Sequence, residues 1–293
     1  MFSQYVIDGL TLGALYGAIA ISYALIFGVI RIINFAQGEI ITIGCFGSLG
    51  IYLLMPNLPL PILVPLMIVG AMIAACAAGL LMERFMFRPL LRKDSPALLG
   101  LIASLGVSIF IQNILRIKVA TSDVPFPTLV ETKPLAWHGM QISPIQLILI
   151  IVCFLIAIGT YLFVEKTRLG LSILAVRDNK EMAESTGISV QLVLRTIFLT
   201  ASAVAAAAGI LMGLYYGVAR YDMGFLPGIK GFTASIMGGV GNVRGAMMAG
   251  VILGLIESLG SAYIASGYKD AFAFILLIIV LIFKPKGLLG SKA

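Results

Sequence analysis

The sequence predicts an all-α fold, a polytopic transmembrane helical bundle. Three observations carry this. The chain is 60% hydrophobic and only 11% charged, far too apolar to cover a soluble domain of 293 residues. Apolar runs long enough to cross a bilayer recur from end to end, which a single buried core would not need. The charged residues cluster between those runs, as they must if the runs lie in hydrocarbon. A β-barrel would instead show short alternating segments.

Taken in order, the predicted spans are 5–30, 38–55, 62–82, 96–116, 144–164, 194–217, 245–266 and 270–284. That makes eight full spans. A shorter Gly-rich stretch, 228–242, is a ninth, short crossing or a re-entrant segment. The N-terminus, MFSQYVIDGLTLG, lacks a basic region and a small-residue cleavage site, so no removable signal is expected. The run MPNLPLP, Met55 to Pro61, ends the second span, because proline supplies no backbone donor and restricts its neighbours. All of 1–293 reads as a single transmembrane domain.

Orientation follows from the basic residues. Arg31, Arg84, Arg88, Arg92, Lys93, Lys166, Arg168, Arg177, Lys180, Arg195, Arg244, Lys284, Lys286 and Lys292 fall on one side. Arg116, Lys118, Lys133, Arg220, Lys230 and Lys269 fall on the other. The richer side is expected to be cytoplasmic, placing the N-terminus outside and the C-terminus inside. That parity requires 228–242 to cross or nearly cross, shielded by protein or lining a cavity. The net charge of +7 is explained by membrane flanks, without nucleic acid.

Between Glu165 and Arg195 the chain turns polar, with nine of its 33 charged residues. A water-facing segment longer than a turn requires, and capable of helix, is expected to touch another protein. On the other side, 117–143 holds Pro125, Pro127, Pro134, Trp137 and His138. It either docks an external partner or caps the bundle with Trp137 at the interface. Gly9, Gly13 and Gly17 lie four apart, as do Gly209, Gly213 and Gly217, and GALYG (13–17) matches GLYYG (213–217). The two helices would run in opposite directions, as in an inverted repeat. Glycines at this spacing make a flat face for close helix contact.

The chemistry is sparse. No G-x-x-x-x-G-K-[ST] phosphate loop, paired histidines, metal-spaced Cys/His set or nucleophile elbow occurs, so no enzyme, catalytic residue or metal site is expected. Cys45, Cys76 and Cys153 lie in apolar segments and read as buried structural thiols. Glu257, well inside a span, either faces a pathway or gate or is paired or protonated within the bundle. Asn34, Gln37 and Glu39 bring three polar side chains to the start of the second span. They either hold broken backbone, a gate or substrate, or serve as cap and interface solvation.

The chain resembles the permease subunits of high-affinity branched-chain amino acid ABC importers, essentially end to end. The blocks are GLTLGALYG (9–17), INFAQGE (33–39), ERFMFRPL (83–90), ASLGVSIFIQN (103–113), EKTRLGLSILAVRDNKEMAESTGI (165–188), GFLPGIKGF (224–232), IMGGVGNVRGAMMAG (236–250) and FKPKGLLG (283–290). Relatives often carry His where Gln37 stands. The polar segment also looks like the ATPase-coupling motif of importer permeases. Glu181, Ala183 and Gly187 fit it, Glu184 lies in the same helix, and Ile197 and Leu199 follow at the expected spacing. Met182 and Thr200 depart from it.

The resemblance implies a bacterial inner-membrane complex: a second related permease, two cytoplasmic ABC ATPases holding ATP and Mg, and a periplasmic binding protein. The cargo implied is leucine, isoleucine or valine, with no cofactor on this chain. Similar permeases serve urea, short amides, other amino acids or aromatic acids. An ion-coupled secondary transporter working alone is the reading from another class; the 165–195 segment argues against it.

Overall fold

The computed structural model describes residues 2–289 apart from 93–95, 120, 130–134, 138–139, 265 and 285–286. His138, Lys93, Lys133, Pro134, Lys286 and Lys292 lie outside the described residues. The helices are α1 (Phe2–Ile30), α2 (Gln37–Leu54), α3 (Leu60–Met82), α4 (Arg88–Arg92), α5 (Ala97–Lys118), α6 (Pro144–Lys166), α7 (Arg168–Asp178), α8 (Lys180–Ser185), α9 (Val190–Tyr216), α10 (Phe225–Gly238), α11 (Val243–Tyr263) and α12 (Lys269–Phe283). Short strands β1 (Val124–Pro125), β2 (Leu135–Trp137), β3 (Met140–Ile142) and β4 (Val218–Ala219) sit between them.

Among the described residues, seven helical stretches are long and apolar enough to cross a membrane: 2–30, 37–54, 60–91, 97–118, 144–166, 190–216 and 243–263. The third is α3 continued through a π-helical turn, Glu83–Phe87, into α4, so the expected 83–93 loop is largely helical. Of the eight spans expected, the last is α12, with 15 residues. At 1.5 Å per residue it covers about 22 Å, less than the roughly 30 Å hydrocarbon core. The Gly-rich segment is α10, with 14 residues.

α1 is the central pillar. Ala14, Ala18, Ile19, Ala20, Ile21 and Ala24 are sealed from solvent on all sides, so its apolar residues need no stripe. The outer helices keep large apolar side chains such as Ile73, Phe110, Leu155 and Ile282 exposed. Such a surface suits lipid or a partner subunit.

Close packing is made through glycine. A Cβ on Gly250 would lie 2.3 Å from the Gly17 backbone, and one on Gly254 2.2 Å from Gly13. Hence α1 and α11 touch backbone to backbone along the face expected from Gly9, Gly13 and Gly17. The second triad behaves differently. Gly209 abuts the Ile41 carbonyl on α2, Gly213 abuts Phe126 and Cys45, and Gly217 ends α9 with φ +69°. The two glycine triads thus occupy unlike surroundings, because equal spacing specifies a flat face and not its neighbour.

Two helices begin inside the bundle. After α1, residues 31–36 run back alongside α5. Ile32 lies on Gly100, and the Ile33 carbonyl and Phe35 N–H both meet the Ser104 hydroxyl, a turn further along. α2 therefore starts beside the middle of α5. Similarly, residues 217–224 run inward from the end of α9. Gly224 donates its N–H to the Thr42 hydroxyl at 3.0 Å, and α10 starts there. Neither α2 nor α10 has a side-chain N-cap.

At one end of the bundle β1 pairs antiparallel with β4, tying the 119–129 segment to the α9–α10 connection, and β2 pairs with β3. At the other end the C-terminal residues return to α10: the Leu288 N–H bonds the Met237 carbonyl at 2.7 Å.

Substitution at the glycine seam tests this packing. Gly250→Val is expected to destabilise the purified protein by about 1–3 kcal/mol or more, through overpacking against Gly17. Gly106→Ala, which meets no atom within 4 Å, leaves the melting temperature unchanged. Equal melting of the two variants would contradict the seam.

Candidate functional site

The polar residues expected at the start of the second span come together, but deeper than a membrane-end turn. Glu39 is fully buried, and its Oε1 accepts from the Ser108 hydroxyl at 2.9 Å and the Gln112 amide at 2.8 Å. Those two residues lie near the middle of α5. Asn34 donates to the Gln37 Oε1 at 3.4 Å, and Gln37 donates to the Ala201 carbonyl at 3.5 Å. The non-helical 31–36 stretch is what lowers the group into the bundle, a displacement that no helical periodicity signals. Sequence reasoning missed Ser108 and Gln112, although the polar spacing in ASLGVSIFIQN places both on one helical face.

Glu257 does not join this group. It lies in a separate charged cluster, with its Oε1 2.9 Å from the Lys230 Nζ and 3.4 Å from the Lys269 Nζ. The Tyr16 hydroxyl donates to the same oxygen at 3.0 Å. Lys230 also meets Asp270 at 2.6 Å. Exposure grades across the cluster: Glu257 0%, Lys230 7%, Asp270 55%. Lys230, counted with the cations of the basic-poor side, is buried in a helix. It sits on α10, packed between α1 and α11. The signal was present: GIKG falls inside 228–242, itself read as a membrane segment, so its lysine had to be buried.

The residues expected to couple to an ATPase begin at the end of the bundle where α6 finishes. The expected polar loop is two helices, α7 and α8, and α9 begins at Val190 rather than 194. Thr167 and Asn179 cap α7 and α8 by accepting from the Gly170 and Met182 N–H groups. Glu181 and Glu184 point outward, Ala183 packs inward, and Met182 is 67% exposed. Gly187, at φ +85°, turns the chain out of α8 while the Ile188 N–H bonds the Ala183 carbonyl at 3.0 Å. Ile197 and Leu199 are not part of this surface. They lie within α9, Ile197 fully buried and Leu199 partly exposed.

Next to α7 opens a cavity of about 1100 Å³, lined by Phe27, Arg31, Tyr161, Arg177, Asn242 and Arg244 among others. Arg244 lies over the Tyr161 ring at 3.9 Å. Among the described residues no group of three His, Cys, Asp or Glu is placed to hold a metal ion. Cys45 and Cys153 are buried free thiols, and Cys76 is half-buried on α3.

The cluster around Lys230 carries a redundancy that can be measured. With Glu257→Gln, Asp270 still holds the Lys230 ammonium, so a modest melting shift is expected. Adding Asp270→Asn strands that cation, which costs about 3–5 kcal/mol for a buried charge without its partner. The double variant should therefore lose more stability than the two single variants combined. Additive shifts would show that the carboxylates do not share Lys230.

Comparison with known proteins gives these geometries a context. Residues 5–281 match the family described as branched-chain amino acid transport system / permease component. The high-affinity branched-chain amino acid transport system permease protein LivH of Escherichia coli is 38% identical over 296 residues, 99% of this chain and 96% of that one. Its Pseudomonas aeruginosa counterpart, BraD, is 37% identical over 297 residues, with the same coverage. A probable LivH of Methanocaldococcus jannaschii is 26% identical over 288 residues, 93% of this chain and 87% of that one. In fold, the chain is similar to one in the structure of PsaBC from Streptococcus pneumoniae in complex with Fab. The TM-score is 0.50 at 13% identity, covering 97% of this chain and 92% of that one. With a match over nearly its whole length and this identity to curated members, the chain belongs to the branched-chain amino acid transport system permease family.

Proposed function

We propose that this chain is the membrane-spanning permease subunit of an ATP-driven ABC importer that carries leucine, isoleucine and valine across the bacterial inner membrane. The observation that carries it is the α7–α8 surface. A short, capped helix presents Glu181, Met182 and Glu184 outward at the basic end of the bundle, in a chain alike end to end to permeases named for this cargo. The partners are a second, related permease, two ABC ATPases and a periplasmic binding protein. ATP and Mg belong to the ATPases, and no covalent chemistry occurs on this chain.

In this reading the basic end is cytoplasmic. The N-terminus of α1 is outside and the C-terminal residues are inside. The 217–224 stretch and α10 together make one crossing, and 31–36 with α2 make another. Irregular backbone at that depth is tolerable because protein surrounds it. The packing also supports an inverted repeat in a register different from that of the glycine triads. α1 packs on α10 and α11 as α9 packs on α2 and α3, and α2 meets α3 as α10 meets α11. The half-helices α2 and α10 are then counterparts, with their N-termini facing at the centre. An ATPase engaging α8 would move α7 against α6 and α9 as a rigid body, and so shift the bundle.

A stand-alone ion-coupled carrier would also suit half-helices and the unpaired carboxylate of Glu39. Reconstitution separates the two. Proteoliposomes holding the complete complex should take up leucine only with ATP and the binding protein. Leucine uptake by this chain alone, driven by a sodium or proton gradient, would sink the importer reading.

Gly187→Val tests the coupling helix. Nothing lies within 4 Å of a Cβ there, so the effect comes from the φ of +85°, which a β-branched residue resists. The complex should assemble while leucine uptake per ATP hydrolysed falls about tenfold, as expected for roughly 1.4 kcal/mol of lost coupling. Normal coupling would mean that the ATPase engages the chain elsewhere.

A further inference from the structure

The junction of α2 and α10 is short of hydrogen-bond donors. Around Glu39, the Ser108 hydroxyl and the Gln112 amide are both spent on Oε1. The Asn34 amide donates to Gln37, and the Gln37 amide donates to Ala201. Two buried atoms remain unmet, Glu39 Oε2 and Asn34 Oδ1, and both are acceptors. Glu257 likewise has an unmet Oε2, but two lysines neutralise it, whereas among the described residues no Lys, Arg or His forms an ion pair with Glu39. A buried carboxylate with a free oxygen calls for a cation that donates hydrogen bonds.

The adjacent surface is aromatic. Phe35 follows Asn34 directly, and its ring centroid lies 6.0 Å from that of Phe232. Phe232 is in turn 5.9 Å from both Tyr23 and Phe27. Ring faces attract an ammonium and also accept aliphatic carbon. Phe27, at the far side of this cluster, lines the large cavity at the basic end. The acceptors therefore connect to that cavity through apolar rings.

We propose that Asn34 and Glu39 form the ammonium-recognising half of a substrate subsite, with Phe35 and Phe232 receiving the aliphatic side chain. This rests on the amino-acid importer reading above and deepens it: the permease itself contacts the cargo's charged nitrogen. The subsite is shut in this structure. α2 and α10 meet glycine on glycine, where a Cβ on Gly224 would stand 2.0 Å from the Gly38 carbonyl and one on Gly228 would stand 2.9 Å from the Gly38 Cα. The side-chain hydrogen bond across that contact is the one from the Gly224 N–H to the Thr42 hydroxyl, so α10 can slide off α2 to admit the ligand once that bond breaks.

The test uses the assembled permease–ATPase complex in lipid nanodiscs, without the binding protein, titrated with three probes. L-leucine and leucinol keep the ammonium; 4-methylpentanoate lacks it. Leucine and leucinol should bind, and 4-methylpentanoate should not. Glu39→Gln should weaken leucine binding at least tenfold, with Gly106→Ala as the neutral control. If Glu39→Gln fails to assemble, Asn34→Ala carries the same test with a loss of at least threefold.

Wild-type affinity in an intact Glu39→Gln complex would overturn the subsite, as would equal binding of 4-methylpentanoate. So would sodium or potassium binding that depends on Glu39 while leucine binding does not. No binding of any ammonium-bearing probe by the wild type would overturn it as well. If another amino acid binds in a Glu39-dependent way while leucine does not, the subsite stands and only the branched-chain assignment falls.

Discussion

Within a bilayer, helices gain little by hiding apolar surface from one another, because lipid is as apolar as they are. What holds this bundle is backbone proximity. Gly13, Gly17, Gly250 and Gly254 bring α1 and α11 into direct contact, and Gly209 does the same for α9 beneath the Ile41 carbonyl. Everything else is arranged around a central helix packed on all sides. The peripheral helices can then remain greasy on their outer faces without disturbing the centre.

That close packing creates the shelter in which irregular backbone survives. Residues 31–36 and 217–224 leave peptide groups without helical partners at membrane depth. Each finds a local acceptor or donor: the Ser104 hydroxyl for the first, the Thr42 hydroxyl for the second. The same shelter lets the chain hold polar side chains far from water. It does so in two contrasting ways. At Lys230, Glu257, Asp270 and Lys269 the charges are balanced and shared. At Asn34 and Glu39 the acceptors outnumber the donors. The first arrangement fixes α10 to α11 and α12; the second leaves buried acceptors without a donor.

The α7–α8 surface is built differently, with ordinary soluble chemistry. Thr167 and Asn179 cap short helices, Ala183 packs inward, and Gly187 supplies a left-handed turn. These are local rules, which is why EKTRLGLSILAVRDNKEMAESTGI announced its place so clearly. What changed there was the start of the following helix, which begins at Val190 rather than 194, since nothing in VQLVLRTIFLTA interrupts helical backbone after Ser189.

Sequence by itself determined the membrane class, the approximate places of the seven long helices among the eight spans it expected, with the third continuing to residue 91 rather than 82, and the polar segment between 165 and 195. Those features follow from hydropathy, charge and turn chemistry, which act over one helix at a time. Only the tertiary structure decided which glycines meet, how deep Asn34, Gln37 and Glu39 lie, and that Lys230 pairs with Glu257 across 27 residues. A lysine in a short apolar segment looks like a flank until its carboxylate is found on another helix. Pairing, depth and register depend on contacts between distant segments, and those are settled by packing rather than by any local pattern.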